Sequence, residues 1–278
     1  MIDLPAQTPS VIREASGVIA VWKPAGLATQ APPGIPSTES WLRRHLHGES
    51  LEGYVGVPHR LDRGVSGVLL FAATPRAARQ LSRQFERRQI RKSYLAIVAG
   101  GEAARDTVDA MVRAAAEASG GGDPSAHGSV VWRDTIAKIA DQARASIVPD
   151  GESGGREAVT LARLCGRLAG ERLLLELSPV TGRMHQLRVQ AAARGLPVLG
   201  DDLYGVADVE WMAAMPQGAE GQENREDRRT RPIALHARRI SYADPDTKVE
   251  TTVEAALPDY WPEPRPDSCL GSWPESAG

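Results

Sequence analysis

Three polar side chains in three separate segments could do chemistry on a substrate. Asp62 stands between two arginines in "PHRLDRGVSG", directly before the apolar run "SGVLLFA". Tyr94 lies in "RKSYLAIVAG" and Arg188 in "PVTGRMHQLRVQ". A carboxylate can act as a nucleophile or a base, a phenol ring can stack on a planar group, and a guanidinium can pair with a carboxylate. Taken singly, each residue is more typical of a loop salt bridge, a core tyrosine or a helix surface pair.

The elements that must position these residues are short strands and scattered helices. Apolar or alternating runs predict strands at "GVIAVW", "SGVLLFA", "KSYLAIVAG", "EAVTLARLCG" and "RLLLELSP". Thr74-Pro75 predicts the start of one helix, and "GRMHQLRVQAAARG" predicts another. "LHARRISYADPDTKVETTVEAALP" is typical of a hairpin. Because strands and helices do not alternate regularly, the pattern favours an α+β fold.

The domain organisation predicted from composition is one domain. Its core spans about 17–261 of the 278 residues. Residues 115–128 and 207–230 have few bulky apolar side chains, which predicts surface insertions, and 262–278 is predicted to be a flexible tail. No internal repeat is visible, and no linker separates two independent cores.

Bulk composition excludes several classes of protein. The chain is 42% apolar and has a formal net charge of -2, which argues against a protein that coats nucleic acid nonspecifically. It has no apolar run of transmembrane length and no secretory signal, so a cytoplasmic monomer without a membrane contact is expected. The two cysteines, Cys165 and Cys269, lack CxxC spacing and metal-ligand neighbours. This predicts neither a zinc site nor a disulfide framework.

Charge is distributed unevenly, with seven basic residues and one acid between Arg76 and Lys92. At helical spacing, five arginines would share one face, opposite Ala77, Leu81 and Phe85. A solvated helix face usually mixes signs, whereas a stripe of arginines without acidic partners suits a phosphate backbone. The stripe consists of Arg76, Arg79, Arg83, Arg87 and Arg91.

The three segments together resemble the RluA-type family of RNA pseudouridine synthases. "HRLDRGVSG" is similar to the family's hallmark, "VWKPAGLATQAP" to its lysine-proline loop, and "KSYLAIVAG" to its tyrosine segment. "TGRMHQLRVQAAARGLPVLGDDLYG" resembles its third motif. The resemblance covers roughly residues 17–261 and is interrupted by the two insertions. Gly64 and Val65 replace the more usual acidic residue and threonine, and Gln190 stands where a histidine is common.

The resemblance implies a single catalytic domain with a large mixed, mainly antiparallel sheet flanked by helices. It implies Asp62 as the catalytic aspartate, Tyr94 as the active-site tyrosine and Arg188 as the arginine that pairs with the aspartate. The expected partner is structured RNA, either ribosomal or transfer RNA. The residues predicted to contact RNA are Lys23, Arg60, Arg63, Arg183, His185 and Gln186, together with the stripe Arg76, Arg79, Arg83, Arg87 and Arg91.

The implied reaction breaks the bond between ribose and N1 of uracil, turns the base and joins C5 to the same ribose carbon. A nucleotide inside an RNA fold must be flipped out, at a cost of a few kcal/mol. Stacking on Tyr94 is worth about 1 to 3 kcal/mol per base and could largely offset that cost. Asp62 must be an anion whether it adds to C6, attacks the ribose or removes a ribose proton. All three routes remain open.

Cofactors and metals are not expected. The reaction needs no redox step, and the chain has no GxGxxG after a strand, no P-loop and no HExxH. His59, His185 and His236 could be considered as metal ligands, but each lies within one of the motifs above. Two other functions remain as alternatives: a catalytically silent RNA-binding factor, and a nucleoside or glycoside hydrolase. A hydrolase normally needs a second carboxylate, and none occurs in the three motifs.

Overall fold

The computed structural model describes residues 8–48, 52–119, 128–205, 211 and 231–261. These residues fall into two compact units. The first unit comprises those within Met1–Lys92 and Met212–Tyr260, and the second those within Ser93–Trp211 and Trp261–Gly278. The expectation of one domain stays a prediction.

The first unit contains a mixed sheet and two helices. Its strands run in the order β1-β2-β3-β9, and β10 pairs with β9. All pairs are antiparallel except β3 with β9, which is parallel. The elements are β1 (Ser10–Ala15), β2 (Val18–Lys23), α1 (Thr38–His47), β3 (Ser66–Ala72), α2 (Pro75–Glu86), β9 (Leu235–Ala243) and β10 (Glu250–Glu254).

Helix α2 packs its apolar face on this sheet. Thr74 caps the helix, since its Oγ1 accepts a hydrogen bond from Ala77 N at 3.1 Å, and Pro75 follows in the first turn. Ala77 and Leu81 are buried against strand residues such as Leu70. The helix start and its apolar face are therefore confirmed.

The second unit contains an antiparallel sheet in the order β4-β8-β7-β5-β6. A buried cluster around Ile136, Ala158 and Val189 joins α4 to this sheet. The elements are β4 (Arg91–Ala99), α3 (Arg105–Ser119), β5 (Val130–Lys138), β6 (Ala145–Val148), β7 (Arg156–Leu168), β8 (Arg172–Pro179) and α4 (Gln186–Ala192).

The α+β class with mainly antiparallel strands is confirmed, but several local expectations need correction. Helix α4 is shorter than the segment predicted to be helical. The proposed insertion at 115–128 begins inside α3, which continues to Ser119. Cys165 is disulfide-bonded, so the expectation of no disulfide is wrong for this residue. Cys269 and the predicted tail lie outside the described residues, as does the insertion at 207–230 apart from Trp211.

Candidate functional site

Asp62 lies on a loop that leads directly into β3. A turn closes at this point, because Val65 N donates to Asp62 O at 3.1 Å. Strand β3 begins at Ser66, and all of its residues are buried. The Asp62 side chain is only partly buried. The carboxylate therefore sits at the entrance of a rigid strand and keeps some access to solvent.

Close backbone approaches explain two glycines near Asp62, one in this loop and one at the start of β3. A Cβ on Gly64 would lie 2.6 Å from Arg231 O. A Cβ on Gly67 would lie 2.2 Å from Ala237 O, and Gly67 has φ +121°. Gly67 pairs with Ala237 in the parallel β3–β9 ladder. Only glycine allows β9 to approach the loop this closely.

Backbone hydrogen bonds hold the residues on either side of Asp62. Thr29 Oγ1 donates to Leu61 O at 2.9 Å and accepts from Leu61 N at 3.1 Å. On the other side, Gly26 N donates to Arg63 O at 2.8 Å. Both neighbours of Asp62 are thus tied to the segment that follows β2, which leaves the loop little freedom.

Lys23 reinforces the same contact from inside the protein. Its side chain is completely buried, and Nζ donates to Pro24 O at 2.8 Å, Leu27 O at 2.7 Å and Arg63 O at 3.2 Å. Burial lowers the pKa of Lys23 to about 7, an effect that Asp62 opposes and Arg63 assists. In this position Lys23 holds the loop, and no part of its side chain is exposed to solvent.

His59 anchors the start of the loop to β3 and α2. Its Nε2 accepts a hydrogen bond from Leu70 N at 2.9 Å, and its ring stacks on Phe85 with 4.6 Å between centroids. Burial, followed by the nearby charge of Lys92, lowers the pKa of His59 to about 3. The imidazole is therefore neutral at physiological pH, as an acceptor of a backbone N–H must be.

The exposed arginines of α2 form a basic surface. Arg76, Arg79 and Arg83 all point away from the core. Arg76 pairs with Asp246 at 3.1 Å, so the stripe is not wholly without acidic partners. Such exposed pairs contribute about 0 to 1 kcal/mol and are readily exchanged for other anions.

The predicted stripe is too long for the helix. Helix α2 ends at Glu86, and Arg87 is its exposed C-cap. Arg88 has φ +57°, which turns the chain towards β4. Arg91 lies on β4, where it pairs with Glu250. The prediction that Arg91 shares the helix face is therefore wrong, because the chain reverses direction before reaching it.

Arg188, on α4, forms a two-point ion pair with Asp201. Nε donates to Oδ2 and Nη2 donates to Oδ1, each at 2.7 Å. The Asp201 side chain is 1% exposed and that of Arg188 is 11% exposed. The Arg188 guanidinium also lies over the ring of Tyr204, 5.2 Å from its centroid. One edge of the guanidinium is thus fixed by a carboxylate and its plane by an aromatic ring.

Tyr94 is a half-buried residue of β4. It pairs with Leu177 of β8 in the antiparallel ladder. Its neighbours Ser93 and Leu95 are fully buried on the opposite face of the strand. Ala96 and Val98 on the same face as Tyr94 are fully buried, so the alternation expected of a half-buried strand does not continue along β4, and Tyr94 lies where the strand becomes buried on both faces.

The residues before α4 have different surroundings. Arg183 Nε donates to Glu157 O at 2.8 Å near the surface. His185 has φ +52° and its Nδ1 lies 2.9 Å from Tyr204 Oη. Gln186 is buried, and its Oε1 accepts from Arg183 N at 3.0 Å. Gln186 therefore shapes the turn from within, whereas Arg183 is accessible to a ligand.

Sequence reasoning missed the contributions of Thr29, Asp201 and Tyr204. Asp201 and Tyr204 lie in "GDDLYG", directly after the apolar run "LPVL". Polar residues at the end of an apolar run are the signal that could have identified them. Gln190, where a histidine is more usual, is fully buried and bonded to Thr160 Oγ1 at 2.7 Å through its Oε1. It is part of the core and does not reach the surface.

The proposed catalytic residues belong to different units: Asp62 lies in the first, and Tyr94 and Arg188 lie in the second. Arg60 is exposed and Arg63 is partly buried on either side of Asp62. Within the described residues, no group of three or more His, Cys, Asp or Glu side chains could hold a metal ion. None of the helices in the described part of the chain is long and apolar enough to cross a membrane.

Comparison with known proteins identifies relatives that match most of the chain. A family model described as RNA pseudouridylate synthase matches residues 17–193. Ribosomal large subunit pseudouridine synthase C of Rickettsia bellii is 30% identical over 254 residues, which cover 91% of this chain and 70% of that protein. The tRNA pseudouridine synthase C of Haemophilus ducreyi is 30% identical over 245 residues, 88% of this chain and 89% of the relative.

A solved structure has a similar fold. Human RNA Pseudouridylate Synthase Domain Containing 4 aligns with a TM-score of 0.61 and 24% sequence identity. The alignment covers 90% of this chain and 89% of the human chain. At this level of identity the likeness concerns the arrangement of helices and strands.

Proposed function

This chain belongs to the RNA pseudouridylate synthase family, as its resemblance to RluA-type members predicts, and we propose that Asp62 is its catalytic residue. The enzyme is an isomerase that converts uridine in RNA to pseudouridine, and its α+β fold is the pseudouridine synthase fold. The proposed substrates are uridines in structured ribosomal or transfer RNA, the two RNA classes named for its relatives.

The observation that carries the proposal is the way the Asp62 loop is built. Neighbouring residues on both sides of Asp62 are bonded to the segment after β2, yet the Asp62 side chain remains partly exposed. A loop that served only as a connection would not need a buried lysine and two glycines at close backbone approaches. Rigid placement of a reactive group is what catalysis by orientation requires.

In the proposed reaction the target nucleotide leaves its RNA stack before Asp62 acts. The bond between C1′ and N1 breaks, and C1′ then bonds to C5 of the same uracil. The proton on C5 is lost and N1 gains one, so no atom is added overall. Asp62 supplies the anion for this exchange, by addition to C6, attack on the ribose or removal of a ribose proton.

We assign supporting roles to the two family-matched residues of the second unit. Tyr94 offers a ring for stacking on the extruded uracil, worth about 1 to 3 kcal/mol. Arg188 stabilises the ionised form of Asp62, for which a guanidinium is better suited than an ammonium because of its planar fork. Arg60 is exposed two residues before Asp62. The role proposed for it is to enter the gap left by the flipped base.

The basic surface is proposed to bind the RNA backbone. The α2 arginines are exposed over successive turns, as contacts with several phosphates require. Arg63, Arg183 and His185 remain candidates for contacts nearer the reacting nucleotide. Lys23 and Gln186 are excluded from this proposed surface because both are buried in the protein.

The test is conversion of unmodified ribosomal and transfer RNA, assayed separately by mapping new pseudouridines. The wild-type protein should modify defined uridines, and Asp62→Asn should slow turnover at least about 100-fold while RNA affinity survives. Asp106→Asn, an exposed aspartate in the first turn of α3, is the control and should retain full activity. Undiminished product from Asp62→Asn would overturn the assignment.

The same assay separates the alternative functions. A hydrolase would release free uracil and leave an abasic ribose, and a silent RNA-binding factor would bind RNA without changing it. Either result with the wild-type protein would contradict the proposed isomerisation.

A further inference from the structure

A buried carboxylate in the second unit fixes the arginine that the family resemblance assigns to the active site. Asp201 contacts Arg188 through both carboxylate oxygens, each 2.7 Å from a guanidinium nitrogen. Two parallel charge-assisted hydrogen bonds define the plane and the direction of a guanidinium more strictly than one bond does. Asp201 is 1% exposed, so water does not compete for this contact.

The carboxylate is itself held in place by the backbone that follows it. Asp201 Oδ1 also accepts hydrogen bonds from Leu203 N at 3.1 Å and Tyr204 N at 3.3 Å. Gly205 N donates to Asp201 O at 2.8 Å and closes the turn. Rotation of the Asp201 side chain would break contacts with both the turn and Arg188. The pair is therefore a preorganised unit rather than two mobile surface charges.

Tyr204 provides a second restraint on the same guanidinium. The Arg188 guanidinium carbon lies 5.2 Å from the centre of the Tyr204 ring, within cation–π range. The Tyr204 hydroxyl accepts from Ala145 N at 2.8 Å and lies 2.9 Å from His185 Nδ1. The hydroxyl end of the Tyr204 side chain is thus anchored both to β6 and to the residue before α4.

Burial of the Asp201–Arg188 ion pair has a free-energy cost that a purely stabilising role does not explain. Removing an aspartate and an arginine from water carries a desolvation penalty, and apolar packing often stabilises a fold equally well. An apolar pair, however, cannot fix the orientation of a charged guanidinium group. Asp201 accepts from both Nε and Nη2 of Arg188, so the direction of the guanidinium is set by the pair.

We propose that Asp201 is a positioning residue for the reaction: it fixes the plane and direction of the Arg188 guanidinium, and turnover depends on that orientation. The inference rests on the function proposed above and adds a requirement to it. Asp201 acts only through Arg188, and it does not contact the substrate.

The chain contains a matched control for this pair. Asp134 on β5 pairs with Arg194, which lies just beyond the C-terminal end of α4, at 3.0 Å. Their side chains are 14% and 20% exposed, so this pair is also largely buried. Asp134→Asn and Asp201→Asn each remove the negative charge that pairs with an arginine. The two arginines lie near opposite ends of the same helical segment. Only Asp201 contacts the arginine of the proposed active site.

Three quantities are measured for both variants: single-turnover conversion of an unmodified RNA that contains a uridine converted by the wild-type protein, affinity for that RNA, and thermal unfolding. Asp201→Asn should slow turnover about 10- to 100-fold, the scale expected for a misdirected catalytic group, with affinity within about threefold of wild type. Asp134→Asn should lose comparable stability and keep its rate within about threefold. Equal rates for the two variants would overturn the inference, whereas inactivity of the wild-type protein would overturn the proposed function instead.

A double-mutant cycle distinguishes positioning from general weakening of the fold. If Asp201 acts through Arg188, then Arg188→Lys and Arg188→Lys with Asp201→Asn should turn over at the same rate. Independent, additive losses would contradict the inference. Should Asp201→Asn fail to fold, Asp201→Glu decides the matter, because it keeps the charge but displaces the guanidinium by the length of a methylene. Wild-type turnover by folded Asp201→Glu would also overturn it.

Discussion

The loop that carries Asp62 and the segment that carries Arg188 are fixed by different kinds of interaction. Around Asp62 the contacts end on backbone atoms: Thr29 bonds to Leu61, and Lys23 bonds to carbonyl oxygens. Around Arg188 the fixing group is another charged side chain, Asp201. The loop that presents Asp62 is thus held through its backbone atoms, whereas the guanidinium of Arg188 is directed by an opposite charge.

The difference has a chemical reason. Hydrogen bonds to backbone atoms position the chain on either side of Asp62 whatever the protonation state of its carboxyl group. An arginine never loses its charge, so a second carboxylate can orient it without changing its protonation. The comparison predicts that the first region is sensitive to backbone geometry and the second to charge.

The largest expected effect comes from closing the space at Gly67. Gly67→Ala places a methyl group against Ala237 O and forces an L-residue into a positive φ, which should destabilise the protein by roughly 2 to 5 kcal/mol. Urea unfolding measures the loss. Gly166→Ala is the control, because no atom lies within 4 Å of its added Cβ. Similar stability of the two variants would contradict the claim that backbone approach fixes the Asp62 loop.

Lys23→Met tests whether the buried lysine is structural. It leaves the carbonyls of Pro24, Leu27 and Arg63 without their Nζ donor, which should cost about 1 to 3 kcal/mol of unfolding free energy. RNA affinity, measured where the variant remains folded, should match that of the wild-type protein. A selective loss of affinity without loss of stability would return Lys23 to the RNA-binding surface.

An exposed arginine should behave in the opposite way. Arg83→Ala removes a charge from the face of α2 and should weaken RNA binding without lowering stability. The slope of log affinity against log salt should fall by about one, as expected for the loss of one phosphate contact. Glu86→Ala, on the same helix, is the control and should leave the slope unchanged. An unaltered slope for Arg83→Ala would contradict a role for this face in backbone binding.

The smallest effect is a pH dependence that originates at His59. Its folded pKa of about 3 lies below the unfolded value of 6.5, so between these values the unfolded chain binds the proton and the folded protein does not. Stability should therefore fall as pH falls from 6.5 towards 3. His59→Gln keeps an acceptor for Leu70 N but does not titrate, so its melting temperature should fall less between pH 7 and pH 5. An identical fall in both proteins would contradict this assignment.

Much of the fold could be read from local patterns. The limits of β3, the capped start of α2 and the hairpin of β9 and β10 agree with the sequence predictions because apolar alternation and capping residues act over a few positions. β1, β5 and β6 and helix α3 were not predicted. The true end of α2 was missed as well, because the reversal at Arg88 depends on a positive φ that no local pattern announced.

The sequence alone determined which residues could carry the chemistry. The HRLD, tyrosine and third motifs occur in the order found in one enzyme family, and this order singles out Asp62, Tyr94 and Arg188. Tertiary structure decided how their surroundings are built. Arg63 is joined to Lys23 across 40 positions, and Arg188 to Asp201 across 13. Periodicity records which face of a strand or helix is buried, but it carries no information about which distant polar group will meet another. Those partners are selected only when the packed chain removes water and requires each buried donor and acceptor to be satisfied.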